Sequence, residues 1–267
     1  MDNINSKIDE LARRYGLPEI DPEEAEKRSV QNRVDIYNAL AGDDDGTGVH
    51  CDLCLNRGDI AFAADGYLRV RPCKCAGTRL TVRRLQRCGI WEQAKRCKLD
   101  NFKTDTPTRR HMKETVTQYV QDPSGHWLML CGQSGAGKTH LCTAAFVQIS
   151  YRYGMAGQYF LWNRDGRALK SSAMEDTMGL WDRYKKAELL YIDDLFKDAQ
   201  GDADRRLAFE LLDYRCNNRL ITIISSEMTI DQILALDQAI GGRIKEMCGA
   251  SHLVSIAPDP AKNYRLR

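Results

Sequence analysis

Three features predict an α/β fold: a parallel five-stranded sheet around a phosphate-binding loop, preceded by a small four-cysteine zinc module and an N-terminal helical arm. A glycine loop, Gly132-Gln133-Ser134-Gly135-Ala136-Gly137-Lys138-Thr139, stands between an apolar run and a helical stretch. From residue 127 onward, short apolar runs alternate with helical segments, the order of a parallel sheet covered on both faces. Ahead of that region four cysteines form two close pairs, Cys51/Cys54 and Cys73/Cys75. The 267 residues allow one domain of ordinary size plus a smaller module. The expected division is 1–49 for the arm, 50–100 for the zinc module with a basic helix, and 101–267 for the nucleotide domain.

Segments 4–16 and 23–41 read as helices. Asp21 and Pro22 supply an N-cap and a first-turn proline for the second, and Glu23, Glu24 and Glu26 favour its N-terminus. Val30, Val34, Tyr37 and Ala41 make an apolar stripe at helical spacing, a packing face or a docking face for a partner. Residues 1–49 hold twelve acids against six bases, whereas 76–113 hold eleven bases and three acids. Such asymmetry fits two different partners or, more plainly, two solvated helix faces. No apolar run approaches the ~20 residues of a membrane span. Met1-Asp2-Asn3-Ile4-Asn5 lacks a signal-peptide pattern, so the reading is cytoplasmic, with no membrane association.

With no export signal, ten cysteines point to metal rather than disulfides. Cys51, Cys54, Cys73 and Cys75 offer four thiolates, a tetrahedral set suited to Zn²⁺. Between the pairs, Ile60–Ala63 and Tyr67–Val70 read as a hairpin across Asp65-Gly66. Residues 79–97 read as one basic helix, and 108–121 as another helix.

Strands are expected at Trp127–Cys131, Gln158–Trp162, Glu188–Ile192, Leu220–Ser225 and His252–Ile256. In the glycine loop, backbone N–H groups aim inward at phosphate oxygens. Gly132, Gln133, Ser134, Gly135, Ala136, Gly137, Lys138, Thr139 and the following His140 are therefore the expected ATP contacts. Lys138 neutralises the β- and γ-phosphates, and the Thr139 hydroxyl ligates Mg²⁺. Leu189–Ile192 runs into Asp193-Asp194: Asp193 holds Mg²⁺ and Asp194 polarises the attacking water. After the fourth strand comes Ser225-Ser226-Glu227. Ser226 is the candidate γ-phosphate contact, with a plain helix cap as the alternative. Arg243 follows a glycine pair and reads as a finger for a neighbouring subunit's γ-phosphate or as a surface arginine.

Taken together, these segments resemble the bacterial and phage helicase loaders of the DnaC/DnaI type, a branch of the AAA+ ATPases. The likeness rests on Cys51/Cys54 and Cys73/Cys75, Asp100-Asn101-Phe102, Gly132–Thr139, Tyr191-Ile192-Asp193-Asp194, Ile224-Ser225-Ser226-Glu227, Gly242-Arg243-Ile244 and Lys262-Asn263-Tyr264-Arg265. It implies ATP-dependent placement of a ring-shaped replicative helicase on single-stranded DNA, with helicase contacts in the N-terminal region and self-association through the ATPase domain. Three features depart from the pattern: the second acid is Asp194 rather than Glu, the usual sensor asparagine is replaced around Ser226-Glu227, and no lid of normal size follows Arg243, which puts Arg265 in doubt as a second sensor. A transposase helper ATPase shares the core but not the cysteine module. A zinc-bearing DNA-binding adaptor that binds ATP without turnover is the reading from a different class.

Overall fold

The computed structural model describes residues 13–16, 21–171, 174–198 and 200–259. Most of the segment expected as a first helix, and the tail carrying Arg265, lie outside the described residues. The chain separates into two compact units, Met1–Arg79 and Leu80–Arg267.

In the first unit, helix α1 (Pro22–Ala39) starts at Asp21, whose carboxylate accepts from the Glu23 amide at 3.1 Å. Strands β1 (Asp59–Ala64) and β2 (Tyr67–Pro72) form an antiparallel hairpin. Its turn residues Asp65 and Gly66 both take the left-handed conformation that a two-residue hairpin loop requires (φ 51° and 75°). The α1 stripe is a packing face: Val30 and Val34 are buried. The Asn38 side-chain amide donates to the Ala61 carbonyl at 3.0 Å and accepts from the Ala61 amide at 2.9 Å, mimicking a third strand. The helix expected as a separate arm thus belongs to the cysteine unit.

The boundary between units falls inside helix α2 (Ala76–Arg87), which is followed by α3 (Trp91–Arg96). The single basic helix expected over 79–97 is therefore two. Gly89 is left-handed (φ 78°), its amide donates to Gln86, and the Ile90 amide donates to Leu85. This is a Schellman stop, sealed by two buried apolar residues, Leu85 and Ile90.

The second unit continues with α4 (Pro107–Gln121), β3 (Trp127–Gly132), α5 (Lys138–Arg152), β4 (Gly157–Leu161), α6 (Trp162–Ser171), α7 (Met174–Lys186) and β5 (Leu189–Asp193). Then come α8 (Asp202–Asn217), β6 (Ile221–Ser226), α9 (Ile230–Leu236), α10 (Gln238–Cys248) and β7 (Leu253–Ile256). The sheet order is β4-β5-β6-β3-β7, all parallel. Every residue of β3, β5 and β6 is buried, so these strands read as nearly unbroken apolar runs. Alternate side chains feed two cores. Leu128 and Leu130 pack with Met112, Tyr119 and Phe146 of α4 and α5. Trp127 and Met129 pack with Leu211 of α8 and Ile244 of α10.

Among the described residues of this unit, Arg215 of α8 is the cation with no solvent exposure at all. It donates to the carbonyls of Tyr184, Lys185, Ala187 and Ile221 and to the Thr222 hydroxyl, at 2.6 to 3.1 Å. It thereby caps the C-terminal carbonyls of α7 and ties them to β6. Burial draws its pKa down to about 9, so it stays charged at neutral pH.

Candidate nucleotide-binding site

The loop between β3 and α5 turns on three left-handed glycines, Gly132, Gly135 and Gly137. Two of them have no room for a side chain. A Cβ at Gly132 would lie 2.0 Å from the Ile256 carbonyl oxygen, and one at Gly137 would lie 2.6 Å from the Phe102 ring. The loop passes into the N-terminus of α5, where amides and the helix dipole favour an anion.

Lys138 is buried and its Nζ donates to the carbonyls of Gly132 and Gln133, each at 2.8 Å. Burial lowers its pKa, against the opposing pull of Glu227 and Asp194. One residue on, the Thr139 hydroxyl donates to Asp193 Oδ1 at 3.2 Å, so the loop and the end of β5 meet where a divalent cation has both an oxygen and a carboxylate. Asp193 is itself buried inside a ring of hydroxyls. Ser225 (2.5 Å) and Tyr191 (2.7 Å) also donate to Oδ1, and Tyr159 donates to Oδ2 at 2.9 Å. Burial and the neighbouring Asp193 raise both phenols, which remain donors. These three partners come from three strands, and Tyr191 sits inside an apolar run where nothing local marks it as a donor.

Asp194 takes a left-handed backbone (φ 58°), uncommon for a residue with a side chain. Its amide donates to the Ser225 hydroxyl at 2.9 Å. Its carboxylate pairs with Lys197 at 3.0 Å. Lys197 also pairs with Glu227 at 3.1 Å, and Glu227 accepts from the Ser134 hydroxyl at 3.0 Å. A continuous polar bridge therefore runs from the second acid to the glycine loop. Burial works against the charge on Lys197, yet Asp194 and Glu227 raise its pKa overall. Glu227 likewise resists burial and is lowered by Lys197 and Ser134. Sequence reasoning did not single out Lys197 or Glu227.

Ser226 is fully buried; its hydroxyl donates to the Leu195 carbonyl at 2.7 Å and accepts from the Met228 amide at 3.1 Å. In the Ser225-Ser226-Glu227 trio, it is Glu227 that reaches the loop. His140 turns a ring nitrogen to the Lys98 carbonyl at 2.8 Å and packs edge-on against Phe102, 5.3 Å between ring centres. Arg243 does not stand free. It pairs with Asp213, 2.9 Å from Nε, and lies 4.5 Å over the Phe209 ring.

In the first unit the four cysteine sulfurs lie within 4.8 Å of one another, a cluster that can hold a metal ion. Cys51 and Cys73 are 3.7 Å apart, and Cys54 and Cys75 are 3.5 Å apart. The turn after the first pair uses left-handed Leu55, Asn56 and Gly58. The Asn56 side-chain oxygen accepts from the Cys51 amide (2.9 Å) and from Arg79 (3.1 Å), and the Gly58 amide donates to the Cys54 sulfur at 3.3 Å.

The sequence matches the family of IstB-like ATP binding proteins over residues 82–265. It is 31% identical to the uncharacterized protein YqaM of Bacillus subtilis (strain 168) over 210 residues, which is 73% of this chain and 66%, just under two thirds, of that protein. It is 30% identical over 227 residues to the phage-like element PBSX protein XkdC of the same strain, covering 79% of this chain and 84% of XkdC. The crystal structure of the DnaC helicase loader shares the fold over 58% of this chain and 96% of its own, with a TM-score of 0.50 at 24% identity. Among the described residues, no helix is long and apolar enough to cross a membrane. With the glycine loop, its lysine and the strand-end aspartate all within the matched span, this chain belongs to the IstB-like ATP-binding proteins and carries their AAA+ P-loop fold.

Proposed function

We propose that this chain hydrolyses ATP in order to place a replicative, DnaB-type hexameric helicase on single-stranded DNA. The observation that carries the reading is a pairing of parts: a P-loop domain with the fold of the DnaC helicase loader, preceded by a four-thiol unit. The likeness to the phage-element protein XkdC spans 79% of the chain, more than the 80–267 unit alone can supply, so it reaches into the cysteine unit. The transposase-helper reading accounts for the P-loop domain and leaves that unit without a task. Co-purification with a hexameric helicase from the same host tests the proposal. ATP binding without hydrolysis, with or without the helicase and single-stranded DNA, together with no helicase capture, would favour the adaptor reading. The first unit is the proposed helicase contact, and the chain is proposed to act in the cytoplasm.

The residues fit ATP with Mg²⁺. The two crowded glycines let the backbone close around phosphate, Lys138 supplies a buried cation, and Thr139 with Asp193 supplies an oxygen pair for the metal. When bound, Mg²⁺ neutralises charge on the phosphate oxygens. Asp194 is the proposed base for the attacking water. Because it is engaged by Lys197, turnover requires that pair to open, so basal hydrolysis is expected to be slow.

Arg243 is proposed to act across subunits. Its half-buried pair with Asp213 costs only about 1 kcal/mol to open, whereas a finger in trans is worth ~10³-fold in rate. Arg243→Ala is expected to bind ATP nearly normally and hydrolyse it poorly, with partial rescue on mixing with Lys138→Ala. Asp213→Ala separates the roles. A purely structural pair predicts equal losses from either side, whereas a finger predicts a large loss from Arg243→Ala alone.

The four thiolates are proposed to hold one Zn²⁺ per chain. Tetrahedral coordination at about 2.3 Å per Zn–S bond sets sulfurs roughly 3.8 Å apart, close to the 3.5 and 3.7 Å of the two pairs. Cys51→Ser or Cys73→Ser is expected to lose the metal. Elemental analysis of fresh wild-type protein that finds no zinc would contradict this assignment.

A further inference from the structure

The hairpin of the cysteine unit has two unlike faces. Ala61 lies opposite Val70, Phe62 opposite Arg69 and Ala64 opposite Tyr67. Alternation therefore puts Ala61, Ala63, Leu68 and Val70 on one face, and Phe62, Tyr67, Arg69 and Arg71 on the other. Helix α1 runs along the edge of β1, where Asn38 bonds the backbone of the buried Ala61, while Ala63 and Val70 of the first face stay exposed. On the second, Ile60 packs against the cysteine cluster, and beyond it Phe62 is 36% and Tyr67 69% exposed and both arginines are exposed. The Arg71 guanidinium stands 5.7 Å over the Phe62 ring and, among the described residues, has no carboxylate partner. Arg69 has only an exposed pair with Asp65 at 3.3 Å, which salt weakens.

We propose that this outer face binds single-stranded nucleic acid, with Phe62 and Tyr67 stacking on unpaired bases and Arg69 and Arg71 neutralising the adjoining phosphates. Two rings left in water on a flat ribbon are costly unless something covers them. The chemistry of the cover is fixed by what lies between them. A protein-docking surface is depleted of charge at its centre, but here Tyr67 is followed along β2 by two guanidinium groups, Arg69 opposite the Phe62 ring of β1 and Arg71 over it. That interleaving is complementary to a chain of flat bases strung on phosphates, and it is tolerant of sequence because every base has a π-face. Duplex DNA hides those faces, which makes the single strand the preferred form. The site would serve the loader and the adaptor alike and does not rest on ATP turnover.

The test uses the full chain and a fluorescently labelled oligothymidine, with a duplex of equal length as the comparison, followed by anisotropy at several salt concentrations. Wild type is expected to favour the single strand. Phe62→Ala combined with Tyr67→Ala should weaken binding about tenfold or more with the salt slope unchanged. Arg71→Gln, at an exposed position, should weaken binding and lower the salt slope by about one. Phe62→Tyr with Tyr67→Phe keeps both rings and should keep the affinity. Basal ATP turnover should be the same in all of them. The proposal is overturned if the double alanine variant binds the single strand as tightly as wild type, whether the strand is then held by Arg83 and Arg87 of α2 or the hairpin takes a helicase instead. It is also overturned if the ring-keeping pair loses affinity as the alanine pair does.

Discussion

Replacing Arg215 by alanine is expected to destabilise the 80–267 unit by about 3–5 kcal/mol. The argument is one of acceptors. Four carbonyls and the Thr222 hydroxyl depend on this one guanidinium. Each buried acceptor left without a donor costs about 1–3 kcal/mol before water or relaxation recovers part of it. In a domain of this size each kcal/mol lowers the melting temperature by about 2–4 °C, so a fall of about 10 °C is expected in a calorimetric or circular-dichroism melt. Arg215→Lys keeps the charge but loses the fork that reaches several carbonyls at once, and should recover less than half of the loss. A fall of less than about 3 °C for the alanine variant would show that the carbonyls find other partners.

Lys138→Ala is expected to weaken ATP binding by roughly 100-fold, because charge-assisted contacts to phosphate are each worth about 1.5–3 kcal/mol. Asp193→Asn should leave binding largely intact and lower Mg²⁺-dependent turnover by about 100-fold or more. It carries a second cost. Asp193 accepts from Thr139, Tyr159, Tyr191 and Ser225, and an amide nitrogen in place of one oxygen faces hydroxyls that have lost an acceptor. A modest fall in melting temperature should accompany the lost turnover. Isothermal titration with a non-hydrolysable ATP analogue and a phosphate-release assay separate the two variants. Unchanged affinity in Lys138→Ala would refute the site.

The strands of the 80–267 unit were legible in the sequence because parallel strands buried on both faces are nearly all apolar, and the five runs lie within a residue or so of β3 to β7. The hairpin was legible through Asp65-Gly66. The break at Gly89 carried a local signal too, a glycine followed by an isoleucine able to seal a helix end, but the basic residues on either side invite a single helix. The polar bridge was not legible. Lys197 and Glu227 are 30 residues apart, and Tyr159 and Asp193 are 34 apart, so only the parallel register of β4, β5 and β6 brings them together. Arg215 was hidden for the same reason: a lone arginine on an amphipathic helix looks like a solvated charge. Arg243 could be read only as a finger or as a surface arginine, since its Asp213 partner lies on another helix.

The crowding at Gly132 has a mechanical consequence. Its missing side chain lets the loop lie directly on the end of β7, where the Gln133 amide donates to the Ile256 carbonyl at 3.0 Å. The Gln133 side chain in turn accepts from the amide of Asp259 at 2.8 Å. The chain leaving the last strand is thus fastened to the residues that would wrap phosphate, with no soft spacer between them. Any widening or tightening of that wrap must pull on residues 256–259, so the end of the last strand and the phosphate-facing loop share one mechanical anchor.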